Sequence, residues 1–246
     1  MAGYDFQSPR LFVSGGLSAG ASVVPGDAAA HYLRHVLRLE TGAKVLVFNG
    51  RDGEWDARLA LASKREMKLE ILSQVRAQPP ASALHYAFAP IKHARFDFMV
   101  QKAVELGAGR LTPVVTQHTQ VARVKAERMR ANVIEAAEQC GVLAVPETEE
   151  ALPFARWLDS ISPERLLVFC DEDAEMSDPL RALAAAPEGA PTLIVGPEGG
   201  FHEKERAALL ARPRVVRLSL GPRILRADTA GVAALALLQA ARGDWR

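Results

Sequence analysis

The sequence predicts an α/β protein in which a small β-rich segment precedes a larger part built on a parallel sheet. From residue 84 onward, short apolar segments alternate with helical patterns, as strands and covering helices of a parallel sheet do. Two of these segments, Leu166–Phe169 and Leu193–Val195, lack any polar alternation, which is typical of strands buried on both faces. Pro79-Pro80 separates this part from the first one, so we expect a linker there.

The first 78 residues show short strand patterns at 10–13, 44–48, 54–62 and 68–72. Asn49-Gly50 and Asp52-Gly53 supply turn signals between two of them. One helix interrupts the strands, with Asp27 as the expected N-cap and Gly42 as the end of the segment. Several short strands and one helix in so few residues suggest a small barrel.

The second part has strand patterns at 84–89, 111–115, 165–170, 191–195 and 214–220, and helical patterns at 94–106, 121–139, 178–186, 202–211 and 228–241. In the first helix, Lys102 and Glu105 are spaced for a surface ion pair, and Gly107 suits the helix end. We expect the apolar positions of that helix to face the core: Phe98, Met99, Val100, Ala103, Val104 and Leu106.

Composition narrows the class of protein. The chain has 246 residues, of which 49% are apolar and 24% charged, so we expect a folded core rather than disorder. The longest nearly apolar stretch, residues 230–241, has 12 residues, whereas a membrane-spanning helix needs about 20. The first ten residues lack the apolar core of a signal peptide, which predicts a cytoplasmic protein. Two cysteines are too few for a disulfide scaffold or a four-ligand zinc site, and we expect reduced, mostly buried thiols.

Charge is unevenly distributed although the net charge is only +1. Residues 92–130 carry eight Lys or Arg against three acids, and residues 147–178 carry ten acids against two bases. A basic surface of this kind suits a polyanionic partner.

Two glycine-bearing segments follow buried strands. Gly196-Pro-Glu-Gly-Gly200 matches neither the dinucleotide fingerprint nor a phosphate-binding P-loop, and Glu198 at its tip would repel a phosphate. The second segment runs from Leu218 to Ala230, and in it Arg223 and Arg226 flank Ile224 and Leu225. Such a mixture suits a ligand with an apolar ring and a polar tail. Asp228 or Thr229 is the expected cap of the last helix.

The N-terminal helix carries a candidate phosphate-contacting stripe. It consists of His31, Arg34, His35 and Arg38, together with Arg10 and Lys44. A solvated helix face is the alternative interpretation. His31 and His35 have the spacing of metal ligands, but no nearby acid or cysteine completes a site, so we expect no metal.

Taken together, six segments in order resemble the RsmE family, bacterial S-adenosylmethionine-dependent methyltransferases of small-subunit (16S) ribosomal RNA in the knotted SPOUT superfamily. They are His31–Arg38, Phe48–Gly50, Gln101–Gly107, Glu135–Gly141, Gly196–Phe201 and Leu220–Arg226. Two positions depart from the family pattern. Val142 stands where the family usually has Arg, and Ala227-Asp228 stands where it has Thr-Glu.

The resemblance implies a PUA-like RNA-binding barrel at residues 1–76 and a SPOUT domain with a deep trefoil knot at residues 82–246. It also implies a homodimer acting on a uridine N3 in 16S rRNA, on the assembled 30S subunit, without a metal or a membrane. The implied cofactor residues are Gly196, Pro197, Glu198, Gly199, Gly200, Leu218, Leu220, Gly221, Arg223, Ile224, Leu225, Thr229 and Ala230. The candidate RNA-binding residues are Arg10, Arg34, His35, Arg38, Lys92 and Lys102.

Uracil N3 is a weakly acidic imide, so its methylation requires stabilisation of negative charge. Arg226 is the candidate for this role, and Glu198 is the second candidate catalytic residue. For the base that takes the N3 proton, Glu198, Asp228, His202 and bulk water all remain open. Three other functions also remain open: methylation of another rRNA or tRNA nucleotide, a nucleotide-binding α/β oxidoreductase, and a non-catalytic RNA-binding protein.

Overall fold

The computed structural model describes residues 5, 7–61, 67–121, 123–175 and 178–245. The chain divides into two compact units, one comprising Met1–Pro80 with Ala137–Val145 and the other Ala81–Ala136 with Pro146–Arg246. Each unit has its own sheet and its own buried apolar cluster. No helix in the described part of the chain is long and apolar enough to cross a membrane.

The N-terminal unit is built on a five-stranded sheet with the order β1-β3-β4-β5-β2. Its elements are β1 (Arg10–Phe12), β2 (Ser22–Val23), α1 (Asp27–His31), a π-helical turn (Tyr32–Val36), β3 (Lys44–Phe48), β4 (Glu54–Leu61) and β5 (Met67–Arg76). Strands β3, β4 and β5 are antiparallel, while β1 runs parallel to β3. Alternate residues of β5 (Met67, Leu69 and Ile71) are buried, as a sheet with one covered face requires. The four strand patterns predicted in this segment are confirmed, and β2 was not predicted.

The N-terminal helix differs from its prediction at both ends. It begins at Asp27 with Gly26 as the N-cap, so the prediction of Asp27 as the cap is wrong. The Asp27 carboxylate instead lies in the first turn of the helix, where its negative charge complements the helix dipole. The helix passes into a π turn in which the Leu37 N–H donates to Tyr32 O at 3.0 Å. Arg38 then adopts a φ of 53°, a left-handed conformation that ends the helix well before Gly42.

The C-terminal unit contains the five predicted strands and the five predicted helices, although the helix predicted at 121–139 begins at Ala126, and it adds three elements between residues 147 and 160 that were not predicted. Its elements are β6 (His85–Phe88), α2 (His93–Glu105), β7 (Arg110–Val115), α3 (Ala126–Cys140), β8 (Glu147–Thr148), β9 (Leu152–Pro153), α4 (Phe154–Ser160), β10 (Leu166–Cys170), α5 (Pro179–Ala184), β11 (Pro191–Val195), α6 (Glu203–Leu210), β12 (Val215–Leu218) and α7 (Ala227–Arg242). The last residues of α3, from Ala137 onward, belong to the N-terminal unit.

All pairs in the larger sheet are parallel, with the strand order β12-β10-β11-β6-β7-β8 and β9 beside β7. Every residue of β6 is buried, as are Leu166–Phe169 of β10, because helices cover both faces of such a sheet. The prediction of an α/β protein with a parallel sheet is therefore confirmed.

Helix α2 confirms its predicted end and one predicted ion pair. Gly107 has a φ of 78°, its N–H donates to Val104 O at 3.0 Å, and the Ala108 N–H donates to Ala103 O at 2.9 Å. This pair of bonds is a Schellman motif. Lys102 Nζ lies 2.7 Å from Glu105 Oε1. Phe98, however, is 44% exposed, so its prediction as a core residue is wrong.

Candidate active site

The carboxyl ends of β12, β10 and β11 lie side by side because these strands are neighbours and parallel. The segments that follow them, residues 219–226, 171–174 and 196–200, meet at one edge of the sheet. Together they line a cavity of about 280 Å³. The two glycine-bearing segments singled out from the sequence thus share one cavity.

Most of the predicted cofactor residues line this cavity: Gly196, Pro197, Glu198, Gly200, Leu218, Leu220, Gly221, Arg223, Ile224, Leu225 and Ala230. Gly199, Thr229 and the candidate catalytic residue Arg226 are not part of the lining. Arg226 directly precedes Ala227, which does line the cavity.

The segment after β11, Gly196–Gly200, is a tight turn whose shape depends on glycine. The Gly200 N–H donates to Pro197 O at 2.9 Å, and Gly200 has a φ of 68°, a conformation that favours glycine. A Cβ on Gly196 would lie 3.1 Å from the Phe201 ring. Phe201 in turn packs edge-on against Phe169 of β10 at 6.2 Å between ring centroids. The turn is thereby seated on the apolar core of the sheet.

A third wall of the cavity, Cys170–Ala174, was not predicted. Within it, the side chain of Asp171 is only 4% exposed and accepts hydrogen bonds from Arg206 Nε at 3.1 Å and Arg217 Nε at 2.6 Å. Burial opposes the charge of Asp171, but these two arginines outweigh it and hold the pKa of the carboxyl below its ordinary value. Asp171 follows a predicted buried strand, so the argument used for the glycine segments could have found this wall.

Cys170 lies in the cavity wall, and burial raises the pKa of its thiol to about 12. The thiol is therefore protonated at neutral pH and is a poor nucleophile there. Cys140, by contrast, is exposed, so the expectation of two buried thiols is wrong for this residue.

The segment after β12 projects outward, and it leads into α7. Ile224 is 90% exposed, and Arg226 is the exposed N-cap of α7 without a side-chain cap hydrogen bond. The prediction of Asp228 or Thr229 as the cap is therefore wrong. Asp228 lies inside the first turn, with its carboxylate 4.0 Å from Arg95 Nε of α2.

The three candidate side-chain bases are in different environments. The Nδ1 of His202 accepts a hydrogen bond from the Lys204 N–H at 3.2 Å, and His202 is the N-cap of α6. Asp228 faces Arg95. Glu198 lines the cavity and is exposed, so it is the candidate with a carboxylate open to a ligand there.

The candidate RNA-binding residues differ in accessibility. Arg10 is 5% exposed, lies 2.6 Å from Glu54 Oε1, and donates to Glu138 O at 2.8 Å. Its guanidinium also packs 4.5 Å from the centroid of the Phe48 ring. The prediction of Arg10 as part of the phosphate-contacting stripe is therefore wrong, because its guanidinium is buried and bonded to protein groups.

The other candidates lie at or near the surface. His35 and Arg38 are exposed and Arg34 is partly buried in the N-terminal unit, where the rings of His31 and His35 lie 4.7 Å apart. In the C-terminal unit, Lys92 is exposed and Lys102 is paired with Glu105. No group of three or more potential metal ligands is found among the described residues.

Comparisons with known proteins agree with this architecture. An RNA methyltransferase domain model matches residues 78–239, and an RNA methyltransferase PUA domain model matches residues 25–72. The chain is 31% identical over 229 residues to the ribosomal RNA small subunit methyltransferase E of Rickettsia conorii, covering 92% of this chain and 93% of that protein.

Two solved structures are similar over nearly the whole chain. The ribosomal RNA small subunit methyltransferase E of Neisseria gonorrhoeae, bound to S-adenosylmethionine, has a TM-score of 0.84 at 30% identity, covering 98% of this chain and 100% of that one. A methyltransferase from Legionella pneumophila in complex with S-adenosylmethionine has a TM-score of 0.82 at 28% identity, covering 96% and 98%.

The parallel sheet, the cavity at its carboxyl edge and the PUA-like N-terminal domain together define an RNA methyltransferase of the SPOUT class. Because the chain is an RNA methyltransferase, the alternative prediction of a nucleotide-binding oxidoreductase is wrong. Within it, the chain belongs to the RsmE family.

Proposed function

We propose that this protein transfers a methyl group from S-adenosylmethionine to N3 of a uridine in small-subunit (16S) ribosomal RNA, on the assembled 30S subunit. The observation that carries the proposal is that three strand-end segments line one shared cavity in a chain of this family. The relatives named ribosomal RNA small subunit methyltransferase E support the choice of RNA.

The chemistry of the cavity lining fits the cofactor. Val195, Leu218, Leu220, Leu225 and Ala230 offer apolar surface for an adenine ring. Gly196 has no side chain to cover its backbone groups, which are the proposed hydrogen-bond partners of the adenine edges.

Another part of the lining is charged. It includes the exposed carboxylates of Glu172 and Asp173, which suit hydroxyl and amino groups, and the buried Asp171 with its partner Arg206. S-adenosylmethionine, when bound, supplies an electrophilic methyl group on a sulfonium cation.

Arg226 is the residue that we assign to stabilising negative charge on the uracil. The N3 anion is the nucleophile, and its charge spreads onto the neighbouring carbonyl oxygens. A guanidinium carries a permanent positive charge and donates hydrogen bonds to such oxygens. Arg226 is exposed at the start of α7 and adjoins the cavity wall through Ala227. Glu198, on the neighbouring segment, is the proposed acceptor of the N3 proton.

The RNA must present its base to this cavity, so we propose that the target uridine is splayed out of its stack. Arg34, His35 and Arg38 of the N-terminal unit and Lys92 and Lys102 of the C-terminal unit are the proposed phosphate contacts. The N-terminal segment has ten basic residues against eight acidic ones in residues 1–78. This small excess favours a partner recognised by shape, such as the assembled subunit, over free RNA.

The remaining features of the family complete the proposal. We propose a PUA-like domain at residues 1–76, a SPOUT domain at residues 82–246 with a deep trefoil knot, a homodimer, and a cytoplasmic location where ribosomes assemble. Ultracentrifugation at micromolar concentration tests the dimer.

Methyl transfer from labelled S-adenosylmethionine to free RNA, isolated small subunits and whole ribosomes, measured in parallel, tests the proposed function. We expect incorporation with small subunits, at a uridine whose modification at N3 blocks primer extension. Transfer only to tRNA or to another nucleotide of rRNA would contradict the proposed target. Absence of transfer, with no binding of S-adenosylhomocysteine, would support a non-catalytic RNA-binding protein instead.

Replacing Arg226 with Ala tests its role. We expect kcat to fall by about 100-fold or more, because a donor to developing charge acts mainly in the transition state. Arg156→Ala, which removes an exposed arginine on α4, is the matched control and should leave kcat unchanged. An unchanged kcat in Arg226→Ala would remove this residue from the proposed mechanism.

A further inference from the structure

The chain segment after β7 touches the glycine turn from outside the cavity. His118 Nδ1 lies 3.0 Å from Gly199 O and 3.2 Å from Gly200 O. A carbonyl oxygen can only accept a hydrogen bond, so Nδ1 carries the proton and donates it. His118 does not line the cavity, and so it contacts the turn rather than a ligand.

Hydrogen bonds on both sides of His118 hold this segment in place. The Thr116 N–H donates to Thr119 Oγ1 at 2.9 Å, and the Gln117 N–H donates to Glu205 Oε1 at 2.9 Å. The other oxygen of Glu205 accepts the His202 N–H at 3.1 Å in the capping box of α6. One carboxylate therefore joins the His118 segment to the start of α6, directly after the glycine turn.

Apart from the packing of Phe201 beneath Gly196, the glycine turn has little other support from side chains. Its internal bond is Gly200 N–H to Pro197 O, and two successive glycines give the chain unusual conformational freedom. Within the described part of the chain, His118 is the side chain from another element that hydrogen-bonds the backbone of this turn. A Cβ on Gly199 would lie 3.5 Å from the His118 Cβ, so the two also pack against each other.

We propose that His118 is a positioning residue for cofactor binding, which holds the Gly196–Gly200 turn in its binding conformation. This inference rests on the proposed function of the cavity. Losing the bond from His118 lets the turn adopt conformations that do not bind, and each such conformation lowers the apparent affinity. Because His118 acts through the turn, its loss should weaken cofactor binding more than it slows methyl transfer at saturating cofactor.

Three variants of the full-length protein test the proposal. His118→Ala removes the donor, and His118→Asn keeps an amide N–H at the same number of bonds from Cα as Nδ1. Gln117→Ala removes a neighbouring exposed side chain while its backbone bond to Glu205 remains. For each, we would measure the Kd for S-adenosylhomocysteine by calorimetry, the KM for S-adenosylmethionine, kcat and Tm.

We expect His118→Ala to raise Kd and KM by about 3- to 10-fold, the range for one hydrogen bond, with kcat changed less than 3-fold. His118→Asn should recover most of the affinity, and Gln117→Ala should match the wild type. Recovery by Asn separates this role from general stability, which Tm reports.

Wild-type affinity in His118→Ala overturns the inference, and so does a loss of kcat at unchanged Kd, which would indicate direct action on the substrate. A wild-type protein that binds neither S-adenosylmethionine nor S-adenosylhomocysteine overturns the proposed function, and this inference with it. Wild-type binding with an unaffected alanine variant overturns the inference alone.

Discussion

At the scale of single residues, His85 shows how burial lowers the pKa of a histidine. It lies at the start of β6, where its Nε2 is 2.7 Å from Thr112 Oγ1. Burial, followed by the charges of Arg165 and Arg110, lowers the pKa of His85 from 6.5 to about 3. The ring is therefore neutral in the folded protein throughout the physiological range.

This buried histidine predicts a pH dependence of stability. The unfolded chain binds a proton at His85 below about pH 6.5 and the folded chain does not until about pH 3, so stability falls as the pH drops from 6.5 toward 3. Between pH 7 and 5.5 we expect a loss of about 1.2 kcal/mol in the free energy of unfolding, measured by urea titration.

His85→Gln, which keeps a donor near Nε2, should abolish this contribution. His31→Gln, at an exposed histidine, should leave it in place. An equal pH dependence in wild type and His85→Gln would contradict the assignment.

The sequence predicts the contacts of a residue when its partner is a near neighbour in the chain. It does not predict them when the partner lies far away in the chain. The Lys102–Glu105 pair and the Gly107 helix end follow from spacing alone. Nothing in the sequence shows that Glu54, fully buried on β4, holds Arg10 inside the protein. Likewise, His118 has no local motif, because its partner carbonyls lie about 80 residues further along the chain.

At the scale of elements, the conformation of the turn after β11 predicts that a side chain at position 200 weakens cofactor binding. Ala at position 200 must adopt the φ of 68°, and its Cβ would lie 2.9 Å from Glu172 Oε1 in the cavity wall. We expect Gly200→Ala to weaken S-adenosylhomocysteine binding by about 10-fold, since left-handed backbone costs an L-residue about 1–2 kcal/mol and the turn forms the site.

Gly20→Ala is the matched control for this prediction. Gly20 also has a positive φ, of 80°, but a Cβ there meets nothing within 4 Å. The Gly20→Ala substitution should lower the free energy of unfolding by about 1 kcal/mol and leave cofactor affinity unchanged. Equal affinity in Gly200→Ala and wild type, measured by calorimetry, would show that the turn does not hold the cofactor.

Elements with a strong periodic pattern were predictable, and short or irregular ones were not. Strands β10 and β11 were predictable because each contains a run of consecutive apolar residues, Leu166–Phe169 and Leu193–Val195. Helix α4 has only seven residues, and Pro153 precedes it with no side-chain cap. Its buried residues Phe154, Trp157 and Leu158 pack on the sheet, so tertiary burial forms this helix. The π turn at Tyr32–Val36 similarly reflects burial of Leu33 rather than any sequence signal.

At the scale of the whole molecule, the class of fold was predictable but the order of strands was not. Alternating strands and helices establish a parallel sheet. The order β12-β10-β11-β6 depends on pairings between strands far apart in the chain, such as β11 with β6. That order brings the three strand ends together, so the position of Asp171 beside the two glycine segments follows from the strand order and not from the sequence.

At the scale of the whole molecule, the number of phosphate contacts sets how strongly binding to RNA responds to salt. With a net charge of +1, binding to a polyanion depends on a few local contacts, each of which contributes a slope of about −0.9 to log K against log salt in a duplex. Arg38 is exposed, and its φ of 53° holds it at the end of the π turn. Replacing Arg38 with Gln removes the charge while keeping a polar, though shorter, side chain.

We expect Arg38→Gln to make the salt dependence of KM for small subunits shallower by about one, with kcat at saturating subunits unchanged. Arg51→Gln is the control, because Arg51 is exposed but paired with Asp52 at 2.9 Å, and it should keep the wild-type slope. A slope that is the same in all three proteins would place the phosphate contacts elsewhere on the surface, since a removed contact must release one counterion fewer.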